Sequence, residues 1–284
     1  MLKRQKSFIN NKPTLYIVAT PIGNMHEFTP RAVDILKNVD VIAAEDTRTS
    51  APLLRKFEIN TRLIAHHNFN ENESSKGIVD MLKTGKNIAI ISDAGYPLIS
   101  DPGYALVKEC VDNDINVVPI SGPSAGINAI VASGLVAQPY IFYGFLSSNQ
   151  NEARRELEKL QEYPMTMIFY VSPHKVTKTL EIVMEVLGDR KACLARELTK
   201  KFEEFNRGYL SEILPVTSEL KGEMVLVVEG YEDNEPAMTI YEINMEVINC
   251  IDNGLSAKEA IKKIAKKYNI SKNELYNEYH KNLN

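Results

Sequence analysis

Five polar loops gather most of the chemistry-bearing side chains in the first half of this chain of 284 residues. They read TPIGN (20–24), EDTRTS (45–50), HHNFNENE (66–73), SDAGYPLISDPG (92–103) and SGPSAG (121–126). Between them they hold Asp46, Arg48, His67, Asn70, Glu71, Asp93 and Asp101, with glycines such as Gly23 and Gly95 permitting close backbone approach. Turn chemistry explains any one of these loops taken alone. Five of them on one edge of a sheet describe a cleft for a small polar ligand.

No GxGxxG follows the first apolar run and no GxxxxGKS/T occurs, so the dinucleotide fingerprint and the P-loop are absent. Two ligand chemistries stay open. Asp46, Asp93 and Asp101 suit a magnesium ion and phosphoryl chemistry, but the loops offer little Lys or Arg to grip phosphate beyond Arg48. A cationic ligand fits an acidic cleft better. S-adenosylmethionine is such a ligand, with a sulfonium and a ribose diol that carboxylates and backbone groups satisfy. The cysteines, Cys110, Cys193 and Cys250, form no CxxC pair, so neither a zinc site nor a disulfide framework is indicated, and no metal is expected.

The loops must be positioned by the runs that precede them: TLYIVAT (14–20), DVIAAE (40–45), TRLIAHH (61–67), NIAIIS (87–92) and INVVPI (115–120). These are near-continuously apolar, as strands buried on both faces are. Helical patterns separate them: one opens at Thr29-Pro30, an N-cap followed by Pro, and others run near 50–57, 74–84, 103–113 and 123–134. Alternation of this kind predicts an α/β domain over 14–140 with a mostly parallel sheet, whose ligands sit beyond the carboxyl ends of the strands. A second α/β domain with a mixed sheet is expected over 141–232, from IFYGFL, TMIFYV, ACLARE and MVLVVEG with helices near 151–162 and 173–187. YEDNEPAMT (231–239) reads as a linker. The tail, 240–284, is predicted helical, with capping boxes at Ser256–Glu259 and Ser271–Glu274, in a pattern that a helix-turn-helix shares.

Hydrophobic residues at 44% and charged residues at 25% are ordinary globular usage, which excludes disorder, collagen and a plain coiled coil. No apolar run reaches the roughly 18 residues of a membrane span. The first twenty residues show no apolar signal core ahead of the first strand, so a reduced, cytoplasmic protein is expected. The net charge of −4 conceals an asymmetry: residues 1–12, a basic N-terminal arm (1–13), carry +4, residues 255–284 carry +4, and the body between carries −12. Two basic ends hint at a polyanionic partner, although solubilising Lys-rich helices give the same pattern.

Taken in order, LYIVATPIGN, AAEDTR, SDAGYPLISDPG and LARELTK closely resemble the ribosomal RNA small subunit methyltransferase I family, one of the tetrapyrrole-methylase-type (class III) methyltransferases. The resemblance runs from about residue 14 to 230 and more loosely into the tail. It implies a homodimer of two α/β domains with S-adenosylmethionine in the cleft between them. It also implies 2′-O-methylation of a cytidine in the decoding region of 16S rRNA, free or in the small subunit, and no membrane partner. Three positions depart from the family pattern: Val171 stands where Glu is usual, Lys175 where Arg is usual, and Tyr96 where Thr is frequent.

Carried over by position, the resemblance implies that the donor meets Pro21 and Gly23, then Asp93, Ala94, Gly95 and Tyr96, then Ser124 and Ala125. From the second domain it implies Tyr170, Leu198 and Met224, for which ordinary sheet core is the plain alternative. The reaction aligns a ribose 2′-oxygen with the methyl and removes one proton; alignment alone is worth roughly 7–11 kcal/mol. Asp46, His67 and Glu71 are candidate bases, and Lys200 a candidate to stabilise an alkoxide or hold a phosphate. His67 and His66, adjacent on a strand, must face opposite ways. Arg48, His174, Lys175, Arg196, Lys200 and the basic tail are expected to contact RNA. The rival expectations are a methylase of a small tetrapyrrole or modified histidine, a magnesium-dependent phosphohydrolase, and a non-enzymatic RNA-binding assembly factor.

Overall fold

The structure, a computed structural model, describes residues 2–7, 9–232, 239–268 and 270–281. Of the expected linker, residues 233–238 lie outside the described residues. The chain divides into two compact units, Met1–Tyr231 and Glu232–Asn284.

The first unit contains both sheets. The N-terminal sheet is formed by β1 (Thr14–Val18), β2 (Val41–Ala44), β3 (Arg62–Ala65), β4 (Ile88–Ile91) and β5 (Asn116–Ile120), in the order β3-β2-β4-β1-β5 and parallel throughout. The inner strands β2 and β4 read as unbroken apolar runs because both faces are covered, whereas the edge strand β3, expected to be buried on both faces, is exposed at Arg62 and Ala65 and half-buried between them. Val18, Ile42, Ala44, Ala89, Ile91 and Ile120 pack against α1 (Pro30–Asn38) and α2 (Thr47–Lys56) through Leu36 and Leu54. Leu15, Val41, Ala43, Ile88 and Ile90 pack on the other face against α3 (Glu71–Lys83) and α4 (Tyr104–Asp112) through Ile78, Leu82, Leu106 and Cys110. The helix after β1 and the helix after β4 thus lie on opposite faces, and a crevice opens between these two neighbouring strands at their carboxyl ends.

Two helices begin earlier than their apolar periodicity suggests. α2 starts at Thr47 because the Asp46 side chain accepts the amide of Arg48 at 2.8 Å and caps it, and α3 starts at Glu71. Arg48 and Glu71 are therefore first-turn helix residues, not loop residues. The basic arm lies along the edge of β5: the Gln5 side chain exchanges two hydrogen bonds with the backbone of Val117, at 2.9 and 3.0 Å. Lys12 pairs with Asp114, so part of the arm's charge is met by the body.

The second sheet is mixed. β6 (Tyr140–Phe145), β7 (Thr166–Val171), β8 (Lys191–Arg196), β9 (Glu204–Tyr209) and β10 (Met224–Val228) stand in the order β6-β7-β10-β8-β9. The β6–β7 pair is parallel and the other three are antiparallel. One face packs on α6 (Gln150–Glu158), α7 (Val176–Leu187) and α8 (Leu210–Ile213). The other face, with Ile168, Cys193, Ala195, Val225 and Val227, packs on Ala129 and Ile130 of α5 (Ala125–Ser133) and on Ile22 from the loop after β1. α5 therefore belongs to the first sheet by sequence and to the core of the second by packing. Gly126 makes this approach possible, since a Cβ there would come within 3.0 Å of the Phe142 ring.

The second unit has α9 (Ile240–Asp252), α10 (Ala257–Lys267) and α11 (Lys272–Lys281) around Ile243, Val247, Ile261, Ile264 and Leu275. Capping boxes Thr239–Glu242 and Ser256–Glu259 start the first two helices, and Gly254 separates them at φ +97°. Among the described residues no helix is long and apolar enough to cross a membrane.

Candidate active site

The crevice between β1 and β4 is pinned where it opens. Thr20 and Gly95 form an isolated antiparallel bridge, amide to carbonyl both ways at 2.9 and 3.0 Å. The loop after β4 then returns over the crevice through Leu98 and Ser100, non-glycine residues at φ +72° and +71°. Such conformations cost of order 1–3 kcal/mol each and persist where the surroundings hold them, commonly at ligand sites. The phenolic oxygen of Tyr96 accepts the amide of Gly122 at 3.1 Å, tying this loop to the one after β5.

These loops form one wall of a cavity of about 430 Å³. Asp93, Ala94, Gly95, Tyr96, Ile99, Ser100 and Asp101 come from the loop after β4, Ser124 and Ala125 from the start of α5, and Glu45 from the end of β2. The facing wall is Phe145, Tyr170, Val171, Ser172 and Pro173, with Leu198, Glu223, Met224 and Val225. Carboxylates and small residues on one side, and mostly apolar side chains on the other, suit a flat ligand with a polar tail.

The cavity is acidic. Glu45, Asp93, Asp101 and Glu223 line it, and among the described residues no Lys, Arg or His does. Burial, then the charge of Glu45 beside it, pushes the Asp101 carboxyl up to about 7, against a hydrogen bond from Ser92. Burial and then Asp46 raise Asp93; burial and then Asp93 raise Glu45. Lys200, from outside the lining, meets Glu223; Glu45, Asp93 and Asp101, crowded together and partly buried, are stabilised by a cationic ligand. Among the described residues no group of three or more His, Cys, Asp and Glu is placed to hold a metal ion.

Of the donor contacts expected from the sequence, the structure brings Asp93, Ala94, Gly95, Tyr96, Ser124, Ala125, Tyr170, Leu198 and Met224 together around this one cavity. Pro21 and Gly23 lie outside its lining. Gly23, at φ +153°, leaves room for a neighbour instead: a Cβ there would sit 2.4 Å from Cγ of Lys200. Val171 lines the cavity, so the position where the family resemblance led to an expected Glu is apolar here.

The residues expected to act in catalysis are placed elsewhere. Asp46 and Arg48 face each other in a two-pronged ion pair at 2.7 and 3.0 Å, which holds the Asp46 carboxyl down at about 2; the Arg48 side chain is 89% exposed. Glu71 accepts the amides of Gly103 at 2.8 Å and Ala105 at 3.3 Å, at the start of α4. The amide of His67 donates to Asn70, and its Nδ1 is buried without a hydrogen-bond partner. His66 is buried against Ser74, 2.7 Å from Nδ1 to Oγ, and burial lowers its pKa. Lys200 binds Glu223 at 2.7 Å and Glu197 at 3.0 Å. Arg196 pairs with Glu204. His174 and Lys175 sit in a short turn (Pro173–Lys175) after β7. The sequence offered Asp101 only as a possible magnesium ligand, not as a donor contact or a base, and Glu45 was passed over. Their signal was a carboxylate at each end of the acidic pair of loops, which becomes decisive only when the loops converge.

Known proteins share this architecture. Residues 14–214 match the family model described as tetrapyrrole (corrin/porphyrin) methylases. Ribosomal RNA small subunit methyltransferase I of Bacillus subtilis (strain 168) is 46% identical, over 99% of each chain. Its namesake in Vibrio cholerae serotype O1 is 41% identical, over 95% of this chain and 96% of that one. Among solved structures, diphthine synthase has a TM-score of 0.60 at 12% identity, covering 77% of this chain and 90% of that one. The uroporphyrin-III-C-methyltransferase of Thermus thermophilus has 0.56 at 14%, covering 77% and 94%. These two share the fold. A parallel sheet and a mixed sheet around an acidic cavity, with relatives at these identities over nearly the whole length, place the chain in the tetrapyrrole methylase family and, within it, with the ribosomal RNA small subunit methyltransferase I proteins.

Proposed function

We propose that this protein transfers a methyl group from S-adenosylmethionine to the ribose 2′-oxygen of a cytidine in the decoding region of 16S rRNA, as a cytoplasmic homodimer. The observation that supports this most is the acidic cavity between the two sheets, lined among the described residues by no cationic side chain, in a chain whose relatives are rRNA methyltransferases by name. When bound, the donor supplies a methyl already activated by a positive sulfur.

The chain's own residues supply the rest. Glu45, Asp93 and Asp101 face the cation. Ala94, Gly95, Ser124 and Ala125 let backbone approach the polar part of the donor, and Ile22, Leu198, Met224 and Val225 give adenine an apolar wall. Closing this space from water and aligning the 2′-oxygen carry most of the rate. Asp101 is the group best suited to take the ribose proton: it lies in the cavity, and its pKa of about 7 is matched to neutral pH. Asp46 and Arg48, locked together near Asp93 but outside the cavity lining, would orient RNA.

The test is methylation of small subunits or free 16S rRNA from cells lacking the modification, followed by mapping of the product. A single 2′-O-methylcytidine is expected, with equal donor binding in the presence and absence of EDTA. Methylation of a base, or of a tetrapyrrole in place of RNA, overturns the reading.

A further inference from the structure

A second cavity, of about 370 Å³, adjoins the first across Phe145, Tyr170 and Ser172, which line both. The two differ in sign. Among the described residues, the first has carboxylates and no cationic side chain, whereas the second has Lys175 and Lys178 and no carboxylate. Hydroxyls of Ser148 and Thr179 add polar groups to the second. Lys178 also meets Glu181 at 2.9 Å along its helix, an exposed pair that holds it only weakly.

The wall between the cavities is there because β6 contains a bulge. Phe142 pairs with Ile168, but Gly144 pairs with Phe169 and Phe145 with Tyr170, so one residue, Tyr143, is extra. Strict alternation sends Phe142 and Phe145 to opposite faces. The bulge, with Gly144 at φ +85°, returns both to the same face, where their rings meet Tyr170 edge-on at 5.1 and 5.4 Å. Bulges of this kind re-aim a side chain and cluster near active sites. Phe145 is nevertheless 55% exposed, so its packing alone does not account for its placement. An aromatic ring half open between a cation-seeking and an anion-seeking cavity is a stacking platform for a nucleobase.

Resting on the reading of the chain as an rRNA methyltransferase, we propose that the second cavity is the target-nucleotide subsite. The base of a single-stranded nucleotide stacks on Phe145, its phosphate lies by Lys175 and Lys178, and its ribose sits at the Phe145–Tyr170–Ser172 boundary that the methyl group must cross.

The probe is a short single-stranded RNA with a fluorescent cytidine analogue at the target position, with rRNA methylation followed in parallel. Replacing Lys175 and Lys178 together by Ala should leave S-adenosylmethionine affinity within about twofold. It should also flatten the slope of log K against log salt for the RNA by about 0.7 per phosphate no longer neutralised. Phe145→Leu should abolish the quench on binding and raise KM for rRNA roughly tenfold or more, whereas Phe145→Tyr should keep both near wild type. If the wild-type protein methylates rRNA and Phe145→Leu matches it in quench and KM, the subsite is disproved and the methyltransferase reading stands. If the wild-type protein binds donor but methylates no rRNA, both fall together.

Discussion

The carboxylate of Glu71, on the first turn of α3, accepts the backbone amide of Gly103 at 2.8 Å, across 32 residues of sequence. A second bond from Ala105 makes Glu71 the cap of α4, a helix whose own N-cap, Gly103, has no side chain to offer. Gly103 lies two residues after Asp101, so the same carboxylate anchors the end of the donor loop. Glu71→Ala should lower stability by about 1–2 kcal/mol, the usual cost of a lost cap, and weaken donor binding indirectly. Glu71→Gln keeps an acceptor and should recover most of both. Thermal denaturation and calorimetry on the two variants decide it; a Glu71→Ala protein of wild-type stability that binds donor but does not turn over would make Glu71 a base after all.

Asp101 gives a pH dependence with a definite sign. Its carboxyl is held up at about 7 in the folded protein, above the ordinary 3.8, so between those values the native state binds more protons than the unfolded chain. Stability of the donor-free protein should therefore fall as pH rises from about 4 to 7 and level off above. Asp46, held down at about 2, acts only below that window. Asp101→Asn should flatten the slope and cut the single-turnover rate by about 10²–10⁴-fold. A bound cation favours the carboxylate, so the rate should rise with pH through a midpoint at or below 7. Denaturation from pH 4 to 8 and single-turnover profiles check both statements; a pH-independent rate in the wild type excludes Asp101 as base.

His66 and His67 should separate cleanly. His66 is 1% exposed and hydrogen-bonded to Ser74, so His66→Ala should cost about 1–3 kcal/mol of stability. His67 is absent from the cavity lining, so His67→Ala should keep the single-turnover rate within about threefold, well short of what removing a general base costs. A tenfold or larger loss at unchanged stability would return the proton to His67.

The tail offers a test of its charge. Lys258, Lys262, Lys263 and Lys266 are all exposed on α10, while Ala260, Ile261, Ile264 and Ala265 of the same helix are buried in the tail's own core. Changing the four lysines to Gln should leave that core and the donor affinity intact. It should lower RNA affinity and make the salt slope shallower, by about 0.7–0.9 for each phosphate that the lysines had neutralised. An unchanged slope would make the lysines a solubilising face and nothing more.

What the chain wrote into its sequence was local and periodic. Near-continuous apolar runs such as NIAIIS announced strands buried on both sides, and Thr29-Pro30 announced a helix start, because period and capping are properties of neighbours along the chain. The same runs placed the polar loops on one sheet edge, since every strand of a parallel sheet ends on the same side. The family likewise showed in short motifs. Tertiary structure decided which polar side chains are free to act. Glu71 and Asp101 stand in neighbouring motifs with the same carboxylate, yet one is saturated by two amides of α4 and the other is half-buried among like charges. Nothing local distinguishes them, because a carboxylate's partner and its solvation come from residues tens of positions away. The bulge that turns Phe145 toward Tyr170 is of the same kind: it exists only as a mismatch in register between two strands, and a strand read alone has no register.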